Sequence, residues 1–490
     1  MRYTSILVTL SLFFLGSGCQ NHQITLPAEN TFEALPYVNP MLGVDGGNVF
    51  GGVSLPFSMM RLGPDVQPNN ITNGYRSNRP IKGFSHTHLS GTGGGPRYGN
   101  FLTIPQVGPV DIEDYVSLKK VNEYSAPGFY QVRLARKIGD VNVKLSATER
   151  VGFHEYEPYT WRGEDILDFN ILLDISHGNT RGKANDHRCT GGDLQILSDS
   201  TLSGWASFIG GWGSDSPYKI YFYAIFDTPF QASGVWEGDE FYPNEQKRQD
   251  RSAINKEFSD FGAYVSFKAR QNQKFSLKLG ISFISEEKAK ANIQNELPHW
   301  NFNQTRVEAE EKWDDALTKI KVSGGLLEDR VKFYSMLRNT MIMPTDVDGE
   351  NPKWDSDAPH YWEHYCLWDV YRTVMPLHTL IIPERQTEIL NSLLDIYEYE
   401  GWLPDSWIAG HYSNVQGGSN ADIVFADAMV KGLSGFDKQK AYEAMKKNGK
   451  VASDNPEKYG RRLDDYIRFG YLLPRSNTGA VSRTIHGSGD

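Results

Sequence analysis

Phe275-Ser-Leu-Lys-Leu-Gly-Ile-Ser-Phe283 alternates large apolar residues with small or charged ones without a break. A period of two gives a strand one buried and one solvated face, as in antiparallel sheets. The pattern repeats upstream in Tyr130, Val132 and Leu134, in Val143, Leu145 and Ala147, and in Ile220, Phe222, Ala224 and Phe226. Clusters of Gly, Pro, Asn and Asp punctuate these runs, and no helix-length spacer separates them. Strand signals from about residue 36 to 290 therefore predict a β-sandwich.

Downstream of Phe283 the period changes. Val307, Trp313, Leu317 and Ile320 read as one helical face, and Ser323-Gly324-Gly325 ends the run. Further helices are expected at about 327–343, 365–380, 384–400, 419–434, 438–448 and 459–470. In the third of these, Ile389, Leu390, Leu393, Leu394 and Tyr397 form an apolar stripe, and Asp437 is a candidate cap for the helix at 438. The predicted fold class is multidomain α and β. An N-terminal β-sandwich covers 36–295, a linker helix 296–325 and a helical domain 326–490.

A length of 490 residues exceeds what one core supports. Hydrophobic residues at 39% and charged residues at 22% describe a folded protein. The net charge of −10 is spread along the chain with no basic stripe, which argues against nucleic-acid binding. Aromatic residues at 12% suit both sugar stacking and a large core, so composition leaves that choice open.

At the N-terminus, Met1-Arg2 precedes an apolar run, Ile6 to Leu15, and then Gly16-Ser17-Gly18-Cys19. This describes a secretory signal over 1–19, followed by a polar tether over 20–35. Small residues before Cys19 resemble a bacterial lipobox, with its Leu one place further away than usual. Export is expected, to the periplasm or to a membrane surface through an acylated Cys19. Cys189 and Cys366 remain, either as a pair or as independent buried thiols.

Two regions are candidates for chemistry. The first is glycine-dense: Tyr37 to Phe57, with Gly46-Gly47, and Ile81 to Gly95, with Gly93-Gly94. Such density lets backbone approach a ligand or another segment closely. No phosphate-loop Lys-Ser or Lys-Thr follows. His86 and His88 stand two apart, open to a metal role or a hydrogen-bonded structural one. The second region combines Trp368-Asp369, Gly401-Trp402-Leu-Pro-Asp405-Ser-Trp407 and Gly417-Gly418-Ser-Asn-Ala-Asp422. Carboxylates accept hydrogen bonds from sugar hydroxyls while indole covers an apolar ring face. A core Trp beside a surface charge is the plainer reading of any one pair.

The strings YVNPMLGVDGGNVFGGVSLPF (37–57), GFSHTHLSGTGGG (83–95), ATERVGFH (147–154), LLDISHG (172–178), KWDDALTKIKVSGG (312–325), LWDVYR (367–372), GWLPDSWIAGH (401–411) and GGSNADIV (417–424) resemble glycoside hydrolase family 92, the calcium-dependent exo-α-mannosidases. The resemblance implies a sandwich joined through a helix to an (α/α)6 toroid. It implies inverting removal of terminal α-linked, mostly α-1,2-linked, mannose from N-glycans or mannan, with a carboxylic acid and a carboxylate base and a calcium cofactor. Trp368 and Asp369 match a mannose-contacting pair, and Gly46, Gly47, Gly93 and Gly94 match loops near the pocket.

One departure stands out. Where the family's acid glutamate is expected, after Val481-Ser-Arg-Thr484, this sequence has Ile485-His486. The string that supplies the base is not among the 490 residues, so neither catalytic group is assigned. The expectation is therefore a partial toroid, a truncated and inactive member prone to associate. Two alternatives are a surface lipoprotein that binds mannose-containing glycans without cleaving them, and a separate C-terminal fragment that completes the ring.

Overall fold

The computed structural model describes residues 33–471 and 473, apart from 94, 113–118, 136–137, 161–165, 181–185, 213–215, 251–259, 365–366, 415–416 and 418–419. Its strands in the N-terminal part are β1 (Gly63–Val66), β2 (Ile81–Ser85), β3 (Leu102–Val107), β4 (Lys119–Ala126), β5 (Phe129–Ala135), β6 (Asp140–Ala147), β7 (Val151–Tyr159) and β8 (Ile166–Asp174). They continue as β9 (Arg188–Ile196), β10 (Thr201–Ile209), β11 (Tyr218–Phe226), β12 (Ala232–Glu237), β13 (Glu240–Pro243), β14 (Lys247–Asp250), β15 (Phe261–Arg270) and β16 (Phe275–Ser282). One seven-stranded sheet runs β1-β2-β3-β8-β15-β12-β13; a nine-stranded one runs β14-β9-β10-β11-β16-β7-β6-β5-β4. The large apolar residues of the alternating runs, among them Tyr130, Val132, Leu134, Phe222 and Leu277, form one core.

The helical part comprises α1 (Glu286–Glu296), α2 (Phe302–Leu317), α3 (Leu327–Asn339), α4 (Leu367–Val370), α5 (Val374–Ile381), α6 (Pro383–Glu400), α7 (Asn420–Val430), α8 (Lys438–Lys450) and α9 (Asp464–Phe469). Two short ribbons lie among them: β17 (Thr345–Asp346) with β18 (Tyr361–Trp362), and β19 (Trp407–Ile408) with β20 (His411–Tyr412). The expected stripe on α6 is buried at Ile389, Leu390, Leu393 and Leu394, and Asp437 caps α8 by accepting from Lys440 N.

Three expectations need correction. β16 is buried on both faces, because α1, unforeseen in the sequence, covers its outer side. Gly280 makes that possible, since a Cβ there would lie 2.5 Å from Ala289 O. On α2 the buried line is Thr305, Ala309, Trp313 and Leu317, whereas Val307 is exposed. A spacing of four holds a face, and Val307 lies two positions off it. The helix expected over 365–380 divides into α4 and α5 because Pro376 cannot donate a hydrogen bond to the carbonyl one turn back.

Helices α2 and α3 stitch the start of the sandwich to the helical part. Trp313 Nε1 donates to Ser54 O at 2.7 Å, Arg338 Nη1 to Phe50 O at 2.7 Å, and Asn39 N to Ser335 Oγ at 2.9 Å. Arg61, fully buried, sends Nη1 to Ile342 O at 3.1 Å and to Thr345 Oγ1 at 2.7 Å. Among the described residues no helix is long and apolar enough to cross a membrane. The expected signal, Cys19, Cys366 and His486 all lie outside the described residues. Cys189 is buried, and burial pushes its thiol up to about 12.

Candidate functional site

The two glycine segments are strapped together. Gly47 N donates to Gly43 O at 2.8 Å, Gly91 N to Asn48 O at 2.8 Å, and Asn48 Nδ2 to Thr92 O at 2.9 Å. Gly46, Gly47 and Gly93 are exposed, and a Cβ on Gly46 or Gly93 would meet nothing within 4 Å. Gly94 lies outside the described residues. Gly95, by contrast, is required for close packing, since its Cβ would stand 2.8 Å from Trp212 N.

The His pair is structural. His86 Nδ1 meets Phe101 O at 2.7 Å and Nε2 meets His154 Nε2 at 2.9 Å, while burial pushes His86 down to about 3. His88 Nδ1 meets Arg61 O at 2.7 Å and Nε2 meets Asp65 Oδ1 at 2.8 Å. Asp65 is bracketed on its other oxygen by His177 Nε2 at 2.9 Å. Burial works to raise the Asp65 carboxyl, but His88 and His177 outweigh it and hold the group below its ordinary value. These rings fix the backbone of Arg61, whose side chain then crosses to the helical part.

That crossing reaches Glu363. Arg61 Nη2 stands 3.7 Å from Glu363 Oε2, and Tyr98 OH donates to Glu363 Oε1, which also accepts from Ala409 N at 3.2 Å. Glu363 and Ala409 hold φ of 55° and 48°, in the left-handed region that side chains other than glycine rarely enter. Periodicity gave no sign of Tyr98 or Glu363, since both sit in irregular segments. The adjacent His364 pairs its backbone with Trp407 in an isolated bridge, and burial lowers its imidazole to about 4.

The three Trp- and Asp-bearing strings of the helical part converge on Asp405. Leu367 N, at the start of α4, donates to Asp405 O at 3.1 Å. The Asp405 carboxylate, 1% exposed, accepts from Gly417 N at 3.1 Å and from Asn420 Nδ2 at 2.9 Å. Next along α4, Trp368 is half-buried against the large core shared by the sandwich and the helical part, and Asp369 is exposed. Partial burial raises the Asp369 carboxyl above its ordinary range, and the nearby Asp405 adds to the rise. The second glycine segment reaches this cluster through Tyr98 and through Trp212, whose carbonyl accepts from Ser413 Oγ.

The arrangement offers one indole surface and one accessible carboxylate, backed by a buried carboxylate that accepts from Gly417 N and Asn420 Nδ2. Hydroxyl recognition suits it. Among the described residues no group of three His, Cys, Asp or Glu side chains is placed to hold a metal ion.

Comparison with known proteins agrees with the fold. An uncharacterized secreted glycosidase of Arthroderma benhamiae is 28% identical over 481 residues, covering 92% of this chain and 57% of its own length. A family 92 α-mannosidase from Bacteroides thetaiotaomicron superposes with a TM-score of 0.80 at 25% identity, over 94% of this chain and 61% of the other. The same enzyme in complex with mannoimidazole aligns equally well, with a TM-score of 0.80. An inverting family 92 mannosidase from that bacterium shares the fold at 23% identity and a TM-score of 0.79. The chain thus spans about three fifths of the length of these relatives. Residues 37–282 match the glycosyl hydrolase family 92 N-terminal domain and residues 288–490 the family 92 catalytic domain, and the chain belongs to that family.

Proposed function

We propose that this chain carries the sugar-binding framework of an exported glycosidase that removes terminal α-linked mannose from mannose-containing glycans. The observation that carries the proposal is the convergence of three separate strings on Asp405, with Trp368 and Asp369 presented beside it. In this reading Trp368 covers the apolar face of the sugar and Asp369 accepts hydrogen bonds from its hydroxyls. Asp405, its oxygens engaged by Gly417 and Asn420, positions the segment rather than the ligand. Gly46, Gly47 and Gly93, exposed to solvent, are assigned to the same pocket through the family resemblance.

The family's inverting chemistry needs an acid and a base across the glycosidic oxygen. His486 stands where the acid is expected, and the base-bearing string is not among these 490 residues. Residues 1–490 by themselves are therefore expected to bind mannose and not to turn over. Calcium enters only through the family resemblance. The secretory pattern of residues 1–19 and the name of the secreted fungal relative support export; mass spectrometry of the mature N-terminus tests acylation of Cys19.

Titration calorimetry with methyl α-mannoside tests the site. Trp368→Ala and Asp369→Asn are each expected to weaken binding by about ten-fold or more, the loss of one good contact; melting is unchanged in the exposed Asp369→Asn and lowered in Trp368→Ala, which also gives up packing. Equal affinity in wild type and both variants would remove the site from this position. Mannose release from α-mannobiose above background would place an acid–base pair within these residues.

A further inference from the structure

A second groove, which shares no residue with the Trp368–Asp405 cluster, lies on the outer face of the nine-stranded sheet. Strand register builds its floor: Tyr124 pairs with Gln131, Gln131 with Lys144, and Lys144 with Glu155, one row across β4, β5, β6 and β7. The first turns of α2 form a wall with Phe302, Asn303 and Arg306, and Lys274 closes one end. The groove is open to solvent and has a volume of about 560 Å3, large enough for a small sugar.

Two properties set this groove apart from an ordinary solvated sheet face. The first is charge. Three cations line it against one lining carboxylate, in a chain whose net charge is −10. Lys144 Nζ at 3.3 Å and Lys274 Nζ at 3.1 Å share the same oxygen of Glu155, so that carboxylate cannot neutralise both. The second is aromatic surface with a held guanidinium. Arg306 lies 4.7 Å over the Phe129 ring while its Nε donates to Glu310 Oε1 at 2.7 Å. Tyr124 is exposed beside Phe129, with ring centroids 6.2 Å apart. Gln131 and Asn303 add amides that can donate to and accept from hydroxyls.

We propose that this groove is an accessory site for an acidic sugar, with its ring against Tyr124 and Phe302 and its anionic group between Lys144, Lys274 and Arg306. Charge-assisted contacts to carboxylate or phosphate oxygens supply the preference for an anion. Uronic acids and sugar phosphates share that chemistry. The assignment does not depend on where, or whether, mannose is hydrolysed.

The test uses the full chain and the glucose series, titrated by calorimetry at low salt: glucuronate, glucose 6-phosphate, glucose, inorganic phosphate and tetraglutamate. Both acidic sugars, or one of them, are expected to bind at least about ten-fold more tightly than glucose, and the tighter one identifies the source as carboxylate or phosphoryl. Raising salt weakens the interaction, as for any exposed charge contact. Lys144→Ala with Lys274→Ala lowers affinity about ten-fold or more, and Lys274→Gln alone lowers it in the same direction. Both lysines are more than a third exposed, so the melting temperature serves as the folding control. Four results would overturn the proposal: no binding of either acidic sugar, inorganic phosphate binding as tightly as glucose 6-phosphate, tetraglutamate binding more tightly than both sugars, or affinities untouched by the lysine substitutions.

Discussion

At the scale of single residues, the contact between Tyr98 and Glu363 joins the two halves of the candidate site. Both side chains are buried, and Tyr98 also packs edge-on to Tyr218 with centroids 5.4 Å apart. Tyr98→Phe keeps that packing and removes only the donor, so urea unfolding is expected to show a loss of about 1–3 kcal/mol. Asp422 reports on pH. Burial raises its carboxyl from 3.8 to about 7, with Arg461 and the Asn448 amide, 3.1 Å away, pulling the other way. Between about pH 4 and 7 the folded state holds a proton that the unfolded chain has lost, so this group lowers stability as pH rises through that window and adds no further change above it. The slope is at most about 1.4 kcal/mol per pH unit. Asp422→Asn is expected to flatten that slope and to raise the urea midpoint at pH 8 relative to wild type, with little difference at pH 4. The Trp- and Asp-bearing strings were legible because three of them fall between residues 367 and 422, although any one pair reads more plainly as a core indole beside a surface charge. Tyr98 and Glu363 were not, since their importance comes from backbone φ and from a partner 265 positions away.

At the scale of elements, period-two alternation revealed the strands because each large apolar residue had to reach one shared core. The same logic missed α1, a helix of eleven residues with only Ala289, Asn292 and Ile293 buried, too weak a stripe to stand out. Its presence explains why Ser276, Lys278 and Ser282 are enclosed on a face that alternation alone would leave in water. Lys278 Nζ donates to Leu297 O at 2.8 Å, and Glu350 reaches in to accept from Ser282 Oγ, Phe283 N and Asn292 Nδ2. Gly280→Ala tests the seating of this helix. The new Cβ would stand 2.5 Å from Ala289 O and 2.7 Å from Ile293 Cγ1, so α1 must shift, at a cost of about 1–3 kcal/mol. A melting temperature equal to wild type would show that α1 moves freely over β16.

At the scale of the whole molecule, the helical part leaves apolar side chains in water. Val430 is 88% exposed, Leu380 68% and Ile467 60%, and Tyr466, Phe469 and Tyr471 join Ile467 in one short run. Surfaces of this kind drive association. Size-exclusion chromatography of residues 1–490 is expected to show concentration-dependent self-association, reduced by Ile467→Lys with Phe469→Lys; a monomer at every concentration would count against it. The stitching of the first residues to α2 and α3 has a consequence for synthesis. Asn39 and Ser54 meet partners 296 and 259 positions later in the chain. At about 5–20 residues per second, those partners leave the ribosome roughly 13–60 s afterwards. A segment made early thus waits for partners made much later. Until then Val38 and Phe57 wait uncovered, and the nascent chain depends on whatever shields them in transit.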